Sequence, residues 1–532
     1  MPTLTWIGKE KVVNHHQEVP YRVLEHKYGF RADDPTDTTP TNSGNKIIHG
    51  DNLEALKSLL PEYEGRIKCI YIDPPYNTGN EKWVYNDNVN DPKIKKWLGE
   101  VVGKQGEDLS RHDKWLCMMY PRLKLLHKLL ADDGAIFISI DDAEICNLRL
   151  LCNDIFGENN FIATIIWRKN YAPKGSAMHF SEDHDYILVF GKNADTWIPN
   201  KMPRTEKQNK AYKNPDNDPR GLWRPNNLAA RNFYSKGTYS ITCPSGRIIP
   251  GPPSGSYWRV SEEKFRELDQ DGRIWWGKDG NNVPAPKIFL SEVSQGIVPQ
   301  TFWSYEEVGH TQDAKKEIKE IFYGDSPFDT PKPVRLIDRI LQIATNPGDI
   351  ILDSFAGSGT TAHAVLNLNK KNDGNRKFIL VEMEDYAENI TAERVRRVMN
   401  GYGEGKNAVA GTGGAFDYYE LGASMFDQEK NLNEEIDEAK IREYIYYTET
   451  KHHLDRERTE KAKYLLDTYN GTGYYFYYER EQLTTLGFDT LYVVTERAEQ
   501  YVIYADICTL SKEDLAKRNI IFKKIPRDIK RF

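Results

Sequence analysis

Apolar runs and amphipathic stretches alternate along most of the first 400 residues. "IKCIYI" (67–72), "AIFISI" (135–140), "YILVF" (186–190), "DIILD" (349–353) and "KFILV" (377–381) are short and almost continuously apolar. Such runs fit strands covered on both faces. "KIIHGDNLEALKSLL" (46–60) predicts strand, turn and helix, while "FIATIIWRK" (161–169) and "HDYILVFGK" (184–192) predict two more strands. Between them, Trp115, Met118, Met119, Leu123, Leu126 and Leu130 recur at helical spacing, and the predicted helix stops at Gly134. "AEICNLRLLCNDIFG" (143–157), "PVRLIDRILQIAT" (333–345) and "YAENITAERVRRVMN" (386–400) read as further helices. Strands alternating with helices predict an α/β fold with a doubly wound, mostly parallel sheet.

The alternation breaks near residue 195 and resumes near 334. The expected organisation is an irregular N-terminal arm (1–44), one half of the α/β domain (45–194), an insert (195–300) and the second half (301–405). A glycine-rich hinge (401–414) then leads to a small, separate α+β region (415–532) with short strands such as "GYYFYYE" and "LYVVTE". Residues 80–111 are polar, with little periodicity, and predict a mobile loop.

Charge changes the picture of the insert. The whole chain carries −7, yet residues 191–260 hold twelve Lys and Arg against four Asp and Glu. Trp197, Tyr212, Trp223, Phe233, Tyr234, Tyr239, Tyr257 and Trp258 are interleaved there. That composition fits a polyanion-contacting module or a solvated surface domain equally well. No apolar run is long enough to span a membrane, and the N-terminus lacks a signal-peptide core, so a cytoplasmic location is expected. The six cysteines form no CxxC pair, which argues against zinc and disulfides. His49, His112, His179 and His184 make no ligand pattern and read as structural or surface residues; no metal is expected.

Two short segments carry chemistry. In "DSFAGSGTTAHAV" (353–365), a strand runs into Gly-Ser-Gly and then a helix, so backbone can approach a ligand at a helix N-terminus. Glu382 ends the next strand, where an acid can hold ribose hydroxyls. No lysine follows the glycines, so this is not a phosphate-gripping loop, and the ligand should be a nucleoside without a triphosphate. In "YIDPPYNTG" (71–79), an apolar strand stops at an acid and two prolines. A carboxylate and a stiff carbonyl can accept both N–H bonds of a nucleobase amine, and a neighbouring tyrosine can stack on a base rotated out of a duplex.

In these two segments the chain resembles the amino-methyltransferases that act on DNA with S-adenosylmethionine. "DPPYNTG" matches their catalytic block and "DSFAGSGTT" their cofactor block. The catalytic block comes first and an insert separates the two, the permuted order of the β subgroup. That block, the Trp-Ile-Gly-Lys start (6–9) and the tyrosine-rich tail resemble modification subunits of type III restriction-modification systems. The resemblance implies a methyltransferase fold with a target-recognition insert and adenine-N6 transfer to double-stranded DNA by base flipping; cytosine-N4 transfer and a silent DNA-recognition subunit are the alternatives. It implies that Asp73 and Pro74 accept the target amine, within a block completed by Pro75, and that Tyr76 stacks on the base. Phe355, Gly357, Ser358, Gly359 and Thr360 would line the methionine part of the cofactor, with Asp353 near its amino group and Glu382 on the ribose. Asp51 matches an acid that contacts the cofactor adenine, though a helix N-cap is an equal reading, and Lys332 with Pro333 matches a segment that closes over the cofactor. A homodimer and a separate restriction subunit are the implied partners. Some arginines of the insert, such as Arg204, Arg220, Arg224 and Arg231, are expected to reach bases, and its lysines mostly phosphates.

Overall fold

The near-continuous apolar runs form the middle of one sheet. The computed structural model describes residues 4–78, 96, 99–100, 110–173, 175–294, 296–455 and 462–527. Among them, ten strands lie side by side: β1 (Arg22–Arg31), β2 (Lys46–His49), β3 (Ile67–Ile72), β4 (Leu130–Ile140), β5 (Phe161–Arg168), β6 (His184–Gly191), β7 (Phe302–Trp303), β8 (Ile350–Asp353), β9 (Lys377–Glu382) and β10 (Ala415–Ser424). Their order is β1-β10-β2-β9-β8-β3-β4-β6-β5-β7. From β10 across to β4 every neighbouring pair is parallel, while β1 and β6 run against their neighbours.

Strand side chains alternate between faces, and β3 shows what each face meets. Ile70 and Ile72 join a core shared with α1 (Asn52–Tyr63), α2 (Arg111–Leu129) and α3 (Ile145–Phe156). The intervening Cys69 and Tyr71 lie outside that core, and β3 also meets α4 (Val334–Ala344), which packs on α5 (Thr360–Asn372). Burial on both faces is why these strands are almost continuously apolar.

Four expectations need correction. The helix predicted to run to Gly134 ends at Leu129, and β4 begins at the next residue. Ile67 faces Leu130 but Cys69 already faces Ala135, so the extra residues bulge, and a Cβ on Gly134 would stand 2.9 Å from the Ile67 carbonyl oxygen. The N-terminal arm is not irregular throughout: it forms two helical turns (Lys9–Val12, His15–Glu18) and edge strand β1. The region after the glycine-rich stretch is not separate, since β10 inserts between β1 and β2. Beyond it, α6 (Glu438–Thr450) and a four-stranded sheet, β11 (Leu465–Tyr469), β12 (Thr472–Phe476), β13 (Gln500–Ala505) and β14 (Ile520–Lys524), complete the same unit. The first three residues of "LYVVTE" close a 3-10 helix (Phe488–Val493), and none of the six lies in a strand. The loop expected at 80–111 lies outside the described residues except for 96, 99–100 and 110–111.

Residues 201–299 form a second compact unit. Its three-stranded sheet runs Ile274–Trp275, Ala285–Phe289, Trp223–Pro225, and Leu228, Trp258, Phe265 and Trp276 form a core. The aromatics there are therefore mostly structural: Tyr212, Trp223 and Trp258 are buried, whereas Phe233 is exposed. Arg220 is tied to Asp218 and Asp271 and lies over the Phe289 ring, and Arg224 reaches the Tyr212 hydroxyl. Arg204 bonds Asn209, and Arg231 is exposed.

Candidate active site

Five neighbouring strands of the sheet bring an acid to the same edge. In spatial order β2-β9-β8-β3-β4, their C-terminal ends lead to Asp51, Glu382, Asp353, Asp73 and Asp141. β6 runs antiparallel, so its first residues bring Asp185 to that edge. Ligands of open α/β sheets bind outside strand C-termini, so the topology alone assembles this rim.

Asp73 lies on a cavity of about 260 Å³ with Pro74, Tyr76, Thr78, Asp141, Trp167, Lys169, Asn170, Asp185, Thr311, Thr330, Pro331 and Lys332. The Lys332 ammonium pairs with Asp73 Oδ2. Asp73 Oδ1 is buried and accepts no bond meeting hydrogen-bond geometry among the described residues. Tyr76 offers part of its ring to the cavity while its hydroxyl is buried; burial and the nearby Asp73 charge push that hydroxyl well above the usual phenol range. The Pro75 carbonyl accepts from the Trp115 indole at 2.7 Å, so α2 fixes the strand end. Among the described residues no donor reaches the Pro74 carbonyl. Asn77 takes a left-handed backbone (φ 58°) and donates to the Arg111 carbonyl and the buried Glu144 carboxylate, which bends the chain away after Tyr76.

A narrow cleft of about 20 Å³ adjoins this cavity through Asp73, Thr330, Pro331 and Lys332, and is floored by Asp353 to Thr361. Gly357 (φ 51°) and Gly359 (φ 80°) carry the turn into α5, and a Cβ on Gly359 would meet the Thr391 carbonyl oxygen at 3.0 Å. Asp353 accepts from the Phe355 N–H and the Thr361 hydroxyl, and burial pushes it up to about 7. Beyond Phe355 lies a slot of about 40 Å³ lined by Asn52, Pro75, Met118, Arg122, Ser354, Glu382, Met383, Glu384 and Tyr386. Glu382 accepts the N–H groups of Gly357 (2.7 Å) and Glu384 (3.0 Å), and burial raises it to about 7. Flat apolar walls with one buried acid suit an adenosine. A glycine-lined cleft with Asp353 and Lys332 suits the amino-acid end of such a ligand. The buried Tyr386 hydroxyl faces Glu382, and the buried Ser354 hydroxyl makes no bond meeting hydrogen-bond geometry among the described residues.

Most of the residues singled out from sequence meet here. Asp73, Pro74, Tyr76, Asp353, Phe355, Gly357, Ser358, Thr360, Glu382 and Lys332 line one or more of the three spaces, and Pro75 lines the slot. Ser358 and Thr360 turn their hydroxyls to the buried Arg394 guanidinium at 2.8 Å each. Asp51 does not line the slot; it caps α1, accepting from Leu53 and Glu54, and faces Arg122 at 3.5 Å. Sequence reasoning missed Trp115, Arg122, Asn52, Lys169 and Asp185. Arg122 is buried, donates to Asn52 Oδ1 and the Met118 carbonyl, and Asn52 donates to the Ser354 carbonyl, which ties α1 and α2 to the glycine loop. Lys169 pairs with the buried Asp185 at 2.5 Å. No local motif marks these residues, although an arginine on the apolar face of α2 was a visible irregularity.

A family model described as DNA methylase matches residues 67–393, more than half the chain. The chain is 37% identical over 366 residues to the Mod subunit of the type III restriction-modification enzyme StyLTI of Salmonella typhimurium, covering 66% of this chain and 54% of that protein. It is 34% identical to the EcoPI Mod subunit of Escherichia phage P1, covering 65% and 58%, and 33% identical to the type II methyltransferase M.KpnI of Klebsiella pneumoniae, covering 67% and 84%. The chain thus spans little more than half the length of the first two relatives. With the family match running from the strand that ends at Asp73, through the glycine loop, to the helix after Glu382, the chain belongs to the DNA methylase family.

Proposed function

We propose that this chain transfers a methyl group from S-adenosylmethionine to adenine N6 in double-stranded DNA, as the modification subunit of a restriction-modification system. The observation that carries the reading is the junction of the two spaces at Asp73: one side opens on Pro74 and Tyr76, the other on the glycine loop. S-adenosylmethionine, when bound, supplies an electrophilic methyl on a sulfonium. Glu382 and the slot would hold its adenosine, and Asp353, the glycine loop and Lys332 its amino-acid end. The residues of the other side act on the base. An exocyclic amine is a weak nucleophile because its lone pair is delocalised into the ring. The Asp73 carboxylate and the Pro74 carbonyl accept its two N–H bonds, draw the nitrogen towards tetrahedral geometry and stabilise the positive charge that grows there. Trp115 already occupies the Pro75 carbonyl, which leaves Pro74 for this task. Tyr76 stacks on the extruded base.

The unit of residues 201–299 reads the DNA sequence, so exchanging it for a relative's should move the methylated site. The names of the relatives, Mod subunits of type III restriction-modification enzymes, support a modification subunit that works with a separate chain; that it also forms a homodimer is part of this proposal, and light scattering with and without such a chain reads both. The deciding experiment is long-read modification mapping of DNA from cells carrying the wild-type chain or Asp73→Ala. A methylated adenine in one sequence context, absent with Asp73→Ala, is expected. DNA unmodified by the wild type, or modified at cytosine, overturns the proposal.

A further inference from the structure

Lys332 stands on both groups that a target base needs. Its ammonium pairs with Asp73 and lies 5.1 Å from the centroid of the Tyr76 ring. An ammonium and an exocyclic amine are both N–H donors, and they compete for one carboxylate. A fixed ammonium beside the amine would also oppose the positive charge that grows there during transfer. The same lysine lines the cleft over the glycine loop, together with Phe328, Thr330 and Pro331. That cleft measures about 20 Å³, so an occupant the size of an amino acid displaces part of its lining, to which Lys332 belongs. The other cations on these spaces have fixed partners: Lys169 holds Asp185, and Arg122 holds Asn52 and the Met118 carbonyl.

We propose that Lys332 has two alternative partners and couples the two cavities through them. Paired with Asp73, it takes the place of the target amine. Paired with the carboxylate at the amino-acid end of the cofactor, it leaves Asp73 to the base. Cofactor binding and base entry are then linked by one residue, which favours an order in which the cofactor precedes the base. The inference rests on the reading of the cleft and slot as an adenosylmethionine site.

The test needs neither DNA nor turnover. S-adenosylhomocysteine and 5′-methylthioadenosine, which shares the adenosine and sulfur but lacks the carboxylate, are titrated calorimetrically into four proteins. These are the wild type, Asp73→Asn, Lys332→Met and the double variant, each checked for folding by thermal melting. Both substitutions are close to isosteric. Asp73→Asn releases the lysine and should tighten S-adenosylhomocysteine about fivefold or more, the lower range of coupling between linked sites. It should leave 5′-methylthioadenosine unchanged, and the gain should vanish in the double variant. Unchanged or weaker S-adenosylhomocysteine binding by Asp73→Asn overturns the coupling, as does tightening of both ligands alike or tightening that survives Lys332→Met. Failure of the wild type to bind S-adenosylhomocysteine would instead sink the reading of the cavity, and the coupling with it. The wild-type titration alone separates these two failures.

Discussion

Two stretches of the same sheet edge treat their acids in opposite ways. At the ends of β9 and β8, Glu382 and Asp353 are buried and held by backbone N–H groups and the Thr361 hydroxyl. Among the described residues no Lys or Arg makes an ion pair with either, and burial pushes both up to about 7. At the end of β3 and the start of β6, Asp73 and Asp185 each have a lysine, Lys332 and Lys169. A buried acid without a cation is stabilised by a ligand that brings hydroxyls or positive charge. An acid with its own lysine must give up that partner, or share it, when a donor arrives. On the proposed reading, the cofactor side offers acids with no cation to displace, whereas the base side keeps its acids paired until a donor arrives.

The comparison can be broken at its ends. Asp73→Ala should lower the rate of methyl transfer by roughly 10²-fold or more, because one carboxylate stabilises charge that exists only in the transition state. A single-turnover assay at saturating cofactor reads this, and a wild-type rate would remove Asp73 from the chemistry. Glu382→Ala should leave the base side intact and weaken cofactor binding by roughly 1.5–3 kcal/mol, the value of hydrogen bonds to a charged group. Calorimetry decides, with unchanged affinity excluding Glu382 from the pocket.

The two buried acids also predict a pH effect on stability. Their folded pKa values of about 7 stand above the ordinary 4.5 for Glu382 and 3.8 for Asp353. Between those limits the folded chain binds more protons than the unfolded one, so stability is highest at the acid end and falls as pH rises through the window. The loss should be on the order of a few kcal/mol, since each tenfold difference in proton affinity between the folded and unfolded chain is worth about 1.4 kcal/mol. Urea unfolding of the ligand-free protein across this range reads it, and Glu382→Gln should flatten the slope; the same slope in the variant would refute the assignment. The smallest expected effect is at the joint behind the base side. Trp115→Phe strands the buried Pro75 carbonyl and should cost about 1–3 kcal/mol of stability. If the amine clamp depends on that bond, transfer should fall while cofactor affinity holds. A variant as stable as wild type would show the bond to be dispensable.

The sequence by itself determined the strands that carry the chemistry and the identity of their terminal residues. Runs such as 67–72 and 377–381 are apolar on both faces apart from Lys68 and Lys377, so no other burial satisfies them, and the acids, prolines and glycines that follow are local signals. It did not determine partners between distant segments. Lys332 meets Asp73 across 259 residues, and Trp115 reaches Pro75 only because α2 packs behind β3. Asp51 showed its limit: the capping pattern and the ligand pattern are the same residues, and the fold shows the cap, with Asn52 rather than Asp51 lining the slot. β10 showed another. Residues 415–424 follow a glycine-rich stretch that reads as a hinge, yet they fill the place between β1 and β2. Strand pairing is decided by which edges remain open once the rest of the sheet is built, and that is a property of the assembled fold rather than of any segment.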